Sequence, residues 1–117
     1  MDELIKEVLA FRDARDWRPF HNPKDLAISI ALEAAELLEH FQWKRPAEVE
    51  AFLAVEANRR RVGEEMADVL ILLISMADAV GLDLREAAQA KLAENGRKYP
   101  VERAKGNATK YDALDSR

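Results

Sequence analysis

The stretch Val62–Val80, with Val69, Leu70, Ile71, Leu72, Leu73 and Ile74 in unbroken succession, is apolar on nearly every side of a helix, the pattern of a helix buried all round. It nevertheless carries Glu65-Met-Ala-Asp68, and a second apolar stretch carries Glu33-Ala-Ala-Glu36. Residues three apart lie on one helix face, so each pair projects two carboxylates from adjacent turns toward one point. In the longer stretch Glu65 and Asp68 share their face with Val69, Leu72 and Met76 and are expected to look inward. Carboxylates are almost never buried alone, because stripping them of water must be offset by a cation or by hydrogen bonds. Two inward-facing pairs therefore predict a divalent metal held by four oxygen donors.

The rest of the chain fits a helical frame for such a site. No run of four residues alternates between apolar and polar with turn signals at its ends, and the β-branched residues are scattered, so no strand is expected. With 117 residues, 49% hydrophobic, 34% charged and only 4 Gly and 4 Pro, the chain reads as one ordered helical domain. Residues 2–15 carry Leu4, Ile5, Val8, Leu9 and Phe11 at helical spacing. Trp17-Arg-Pro-Phe-His21 is an ordered loop, ending in Asn22 as a cap with Pro23 at the first position of a helix that runs to Phe41 or Gln42. Lys44-Arg-Pro46 stops that helix. A short helix over 47–55 leads to the long central one over 59–80, closed by Gly81 in the left-handed conformation. Asp83 caps a fourth main helix reaching Asn95 or Gly96. The fold expected is all-α, a four-helix bundle over residues 1–98, with an irregular tail over 99–117 packing on a neighbouring subunit. The central helix is too apolar for one flank to stay wet, which predicts a homodimer or homotetramer.

Charge and cysteine content exclude several function classes. A net charge of -4 lacks the basic excess a nucleic-acid polymer demands. The chain has no Cys, which removes disulfides, thiolate metal sites and a cysteine nucleophile. The longest apolar run, 66–82, is interrupted by Asp68 and Asp78 and is short for a membrane span. With no basic and apolar leader, a cytoplasmic location is expected.

The segment Glu33-Ala-Ala-Glu36-Leu-Leu-Glu-His-Phe41-Gln42-Trp43-Lys44, followed by Glu64-Glu65-Met-Ala-Asp68-Val69-Leu70, resembles the all-α nucleoside triphosphate pyrophosphohydrolases of the MazG-like superfamily. The Trp17 to His21 loop, Phe41-Gln42-Trp43 and the run Lys91-x-x-x-Asn95-x-Arg97-Lys98-Tyr99-Pro100 are most similar to the dCTP pyrophosphatase type within it. The resemblance implies that Glu33, Glu36, Glu65 and Asp68 hold Mg²⁺, with Mn²⁺ as a substitute, and that a nucleoside triphosphate is cleaved to monophosphate and pyrophosphate in sanitation of the nucleotide pool. It also implies that Lys91, Asn95 and Arg97 bind the triphosphate, while Trp17, His21 and Trp43 form the nucleobase wall. Where related enzymes carry a tyrosine one turn beyond the second acidic pair, this chain has Leu72, which puts cytosine preference in question.

Each residue also has a structural reading. Helical acid pairs are common on solvated faces, the tryptophans are as suited to anchoring loops, and cations near a helix C-terminus complement its dipole. His40 follows Glu36 by one turn and reads as a bystander; Glu39 and Glu64 flank the pairs and suit an outer tuning role. A di-iron carboxylate bundle would need Glu-x-x-His pairs, and the sequence has none. A non-catalytic helical metal-binding or interaction module is the remaining alternative.

Overall fold

A computed structural model describes residues 1–110 and 112. Among them are six helices, no strand, and a 3₁₀ turn: α1 Asp2–Ala14, the turn Arg18–Phe20, α2 Pro23–Glu39, α3 Pro46–Leu53, α4 Glu56–Val80, α5 Leu84–Lys98 and α6 Val101–Ala104. The all-α expectation therefore holds. The chain divides into two compact units, Met1–Leu82 and a second beginning at Asp83; the sequence had suggested a helical domain to residue 98 and a tail beyond.

In the first unit α4 is the hub. It packs most extensively against α2 and also against α1 and α3. The buried apolar residues Val8, Leu26, Ile74 and Ala77 come from α1, α2 and α4, and burying each large aliphatic among them contributes about 1.5–3 kcal/mol. The expectation that α4 is buried on all sides is not met within one chain: Met66 is 57% and Ile71 42% exposed. Three helices of one chain cover only part of the circumference of a 25-residue helix, and Met66 and Ile71, about 140° apart around its axis, both stand outside the covered sector.

Local chemistry sets the boundaries. The Asn22 side chain accepts from the Asp25 backbone N–H at 2.9 Å, with Pro23 in the first turn, so α2 starts where expected. It ends at Glu39, two or three residues early, because the chain tightens into i to i+3 bonds, Phe41 N to Leu38 O at 2.9 Å and Lys44 N to Phe41 O at 3.0 Å. Helix α4 begins earlier than expected, since Asn58 and Arg59 N–H groups already bond the Val55 carbonyl while the Asn58 side chain donates to Phe52 O. Gly81 closes it at φ 73° with Leu82 N donating to Ala77 O at 2.8 Å, the left-handed closure that glycine adopts without steric cost.

In the second unit Asp83 caps α5 by accepting from Glu86 N at 2.9 Å. The helix extends to Lys98, with Tyr99 N bonded to Asn95 O. Beyond Pro100 the chain takes a further helical turn, α6, where an irregular course was expected. The remainder of the expected tail lies largely outside the described residues. Among the described residues, no helix is long and apolar enough to cross a membrane.

Candidate active site

Helices α2 and α4 bring three of the four expected carboxylates together. One oxygen from each of Glu33, Glu36 and Glu65 lies within 4.8 Å of the other two. Glu33 and Glu65 are half-buried and Glu36 is exposed. Glu33 Oε2 and Glu65 Oε2 are buried and accept no hydrogen bond, and leaving a buried charged oxygen unpaired is costly. Burial, followed by the charge of Glu36 and a hydrogen bond to it, then the charges of Asp68 and Glu65, push the Glu33 carboxyl above its ordinary range. These orphaned oxygens and crowded charges fit a cation, and an all-oxygen donor set fits a hard ion such as Mg²⁺.

Asp68 departs from the expected arrangement. It is close enough to act on Glu33 electrostatically, but it is exposed and stands outside the tight carboxylate group. Three residues advance a helix by about 300°, leaving Asp68 roughly 60° around the axis from Glu65. With Glu65 in the α2–α4 interface, that offset turns Asp68 to its edge.

His40, read from the sequence as a bystander, lies beside the cluster. Its Nε2 is 3.8 Å from Glu65 Oε1, and the two side chains are 17% and 22% exposed. The imidazole contacts the rings of Phe52 and Phe41, with centroids 5.9 and 6.3 Å away. Lys44 Nζ donates to the His40 carbonyl at 2.6 Å and sits 4.5 Å from the Phe52 ring centre. The spacing from Glu36 was visible in the sequence; the approach of α4 was not.

Along α4, Glu65, Asp68, Leu72 and Ser75 recur at intervals that keep them near one face. Leu72 and Ser75 line a cavity of about 350 Å³ whose walls are mostly apolar. Its other lining includes Val8, Phe11 and Arg12 of α1, Ile71 of α4, and Trp17 and His21. Leu72 lies about 10 Å along the helix from Glu65, so carboxylates and cavity follow one another on the same element.

The turn after α1 aims Trp17. Asp16 takes φ 52°, and Trp17 N bonds back to Arg12 O at 3.2 Å, a left-handed helix closure in which Asp stands where glycine is usual. Trp17 then meets Phe11 edge to face at 5.8 Å and His21 at 6.4 Å. His21 Nδ1 is buried without a hydrogen-bond partner. Trp43 does not join this wall; it is 86% exposed. Within the same lining, Arg12 is 4% exposed and bonds Asp13 and Asp78, and those hydrogen bonds raise its already high pKa.

Lys91, Asn95 and Arg97 all belong to α5 of the second unit. Lys91 Nζ is 3.6 Å from Glu94 Oε2, and Lys98 Nζ is 3.0 Å from Glu94 Oε1, which holds the Glu94 carboxyl below its ordinary range. Asn95 is half-buried and Arg97 exposed.

An α-helical hub carries clustered carboxylates near an apolar cavity, and comparison with known proteins places the chain in a family. Residues 28–114 match the MazG-like family, and the chain belongs to it. Among individual proteins it is similar to dCTP pyrophosphatase 1 of Rattus norvegicus, 38% identical over 114 residues that span 97% of this chain and 67% of that protein. The Homo sapiens dCTP pyrophosphatase 1 is 36% identical over the same shares of both chains. The crystal structure of a pyrophosphatase from Archaeoglobus fulgidus superposes with a TM-score of 0.75 at 46% identity, covering 86% of this chain and 92% of that one.

Proposed function

We propose that this chain hydrolyses a (deoxy)nucleoside triphosphate of the dCTP kind to the monophosphate and pyrophosphate, with Mg²⁺ held by Glu33, Glu36 and Glu65 and with Asp68 at the rim of the site. Family membership and likeness to dCTP pyrophosphatases make it a nucleotide pyrophosphohydrolase. The observation that carries the metal assignment is the pair of buried, unpartnered oxygens on Glu33 and Glu65. When bound, Mg²⁺ neutralises phosphate charge and makes a coordinated water more acidic at neutral pH. Mn²⁺ substitutes for it.

The protein's own groups divide the remaining work. Glu33, Glu36 and Glu65 fix the cation's place, and Glu36 orients or deprotonates the water, a reading supported by its being the exposed member of the three. The cavity walled by Trp17, His21 and Leu72 takes the base: stacking on the indole tolerates several bases, and His21 Nδ1 offers one hydrogen bond. Trp43, which the resemblance assigns to the base wall, adds a contact to the nucleotide from its exposed position. Lys91, Asn95 and Arg97 of α5 bind the phosphates, and such cations stabilise charge on a transferring phosphoryl group.

The four-helix bundle and its assembly into a homodimer or homotetramer are part of this proposal, supported by exposed Ile28 and Leu32 on α2 and Met66 and Ile71 on α4. So are a cytoplasmic setting and a role in clearing unwanted nucleotides. Incubation with a panel of ribo- and deoxynucleoside triphosphates and Mg²⁺, with products resolved, tests the reading. Monophosphate and pyrophosphate are expected; no product from any triphosphate would leave the non-catalytic metal-binding module in its place.

A further inference from the structure

We infer that His40 is a positioning residue for Glu65, fixing which of that carboxylate's oxygens is offered to the cation; this rests on the metal assignment proposed above. The two oxygens of Glu65 stand in different surroundings. Oε1 faces His40 Nε2 at 3.8 Å, whereas Oε2 is buried and without a hydrogen bond. A contact of 3.8 Å is too long for a hydrogen bond, but a movement of roughly 1 Å makes it one. An imidazole N–H donating to Oε1 would hold the carboxylate plane and leave Oε2 for the cation. Hydrogen-bond partners that orient a metal ligand in this manner commonly change metal affinity by roughly 10–100-fold when removed.

The seat of the imidazole argues that it is fixed there. His40 is the residue that terminates α2, one turn past Glu36. Its ring lies within aromatic contact distance of both Phe41 and Phe52, whose rings meet edge to face at 6.1 Å. Its carbonyl is taken by the Lys44 ammonium, which itself rests over Phe52. Backbone and ring are thus held from two sides, and the ring edge that remains is turned to Glu65. A histidine needed only to fill space among two phenylalanines would be replaceable by leucine.

The test compares wild type, His40→Leu, His40→Gln and Glu33→Gln, using Mg²⁺ alone as the probe. Metal-free melting and far-ultraviolet circular dichroism establish folding, and the Mg²⁺ concentration giving half the rise in Tm is then measured, with the Mg²⁺ dependence of pyrophosphate release alongside. His40→Leu is expected to raise the half-saturating Mg²⁺ by roughly 10–100-fold with kcat near wild type at saturating metal. His40→Gln, which keeps a donor, is expected to recover most of the loss. Wild-type Mg²⁺ response in His40→Leu would overturn the inference, as would a folded His40→Gln no better than His40→Leu. Loss of the metal-free fold in both would overturn it too, assigning His40 to packing. Should Glu33→Gln respond to Mg²⁺ as wild type does, the metal assignment itself fails, a result distinct from failure of His40 alone.

Discussion

Arg12 and Asp78, 66 positions apart in sequence, meet at 2.7 Å between Nη1 and Oδ2 and tie α1 to α4 beside the apolar cavity that Arg12 helps to line. The guanidinium is almost fully buried while its second partner, Asp13, is 55% exposed. Removing Asp13 opens its side of the guanidinium to water, which takes over the lost contacts because that side already faces solvent, whereas Asp78 is only 31% exposed. Removing Asp78 leaves a buried cation with half its pairing, which is costly. Asp78→Ala is therefore expected to cost about 1–3 kcal/mol and Asp13→Ala under about 1 kcal/mol. Urea midpoints at unchanged m-value measure both; equal losses would contradict the asymmetry.

The carboxylate cluster should oppose folding when no cation is present. Neutralising one member removes repulsion, so Glu36→Gln is expected to melt at or above wild type in chelator and to lose the Mg²⁺-induced rise in Tm together with turnover. Asp68→Asn, at the rim, should lower turnover with a smaller change in the Mg²⁺ response. Melting curves with and without Mg²⁺ check this. A Glu36→Gln protein that retains turnover and the metal response would remove it from the site.

The raised Glu33 carboxyl gives the metal-free protein a pH signature. A group that binds its proton more tightly folded than unfolded makes the folded state bind more protons, so stability falls as pH rises. The penalty is absent below the ordinary glutamate range, accrues as pH climbs from that range to the raised folded value, and is complete above it. Glu33→Gln cannot titrate, so the Tm of this variant minus that of wild type in chelator should grow across that window and then level. A constant difference would mean that Glu33 is not perturbed.

Trp17 and Trp43 should separate experimentally. Trp17 lines the cavity beside Phe11 and His21, and a stacked base is worth about 1–3 kcal/mol. Trp17→Ala is expected to raise KM by roughly 5- to 150-fold, equivalent to that energy, with the Mg²⁺-induced Tm rise unchanged. Trp43→Ala is expected to weaken nucleotide binding as well, by less, since its indole stands in solvent. Unchanged KM across nucleotides for either variant would count against its stacking role.

How much of this was legible beforehand varies with the range of the interaction. Asn22-Pro23 and Gly81 act through neighbouring backbone atoms, so they marked the start of α2 and the end of α4 correctly. The acid pairs announced themselves because charge inside an apolar helix demands a partner. Spacing alone did not fix the rotation of α4 against α2, which admits Glu65 to the cluster and leaves Asp68 at the edge. Asp78 was visible only as an interruption of an apolar run, and its partner Arg12 lies on another helix. His40 was on the right face of α2, but its neighbour comes from α4. Trp17 enters the cavity lining directly after Asp16 takes a left-handed turn, which the segment Arg15-Asp16-Trp17 does not advertise with a glycine.

The most direct test is pyrophosphate release from dCTP as a function of Mg²⁺, in wild type and in Glu65→Gln. The prediction is monophosphate and pyrophosphate in equal amounts, absent in chelator, restored by Mg²⁺, and lost in Glu65→Gln at every Mg²⁺ concentration. Release of orthophosphate in place of pyrophosphate, or equal metal-dependent turnover in Glu65→Gln, would contradict the assignment of reaction and metal site.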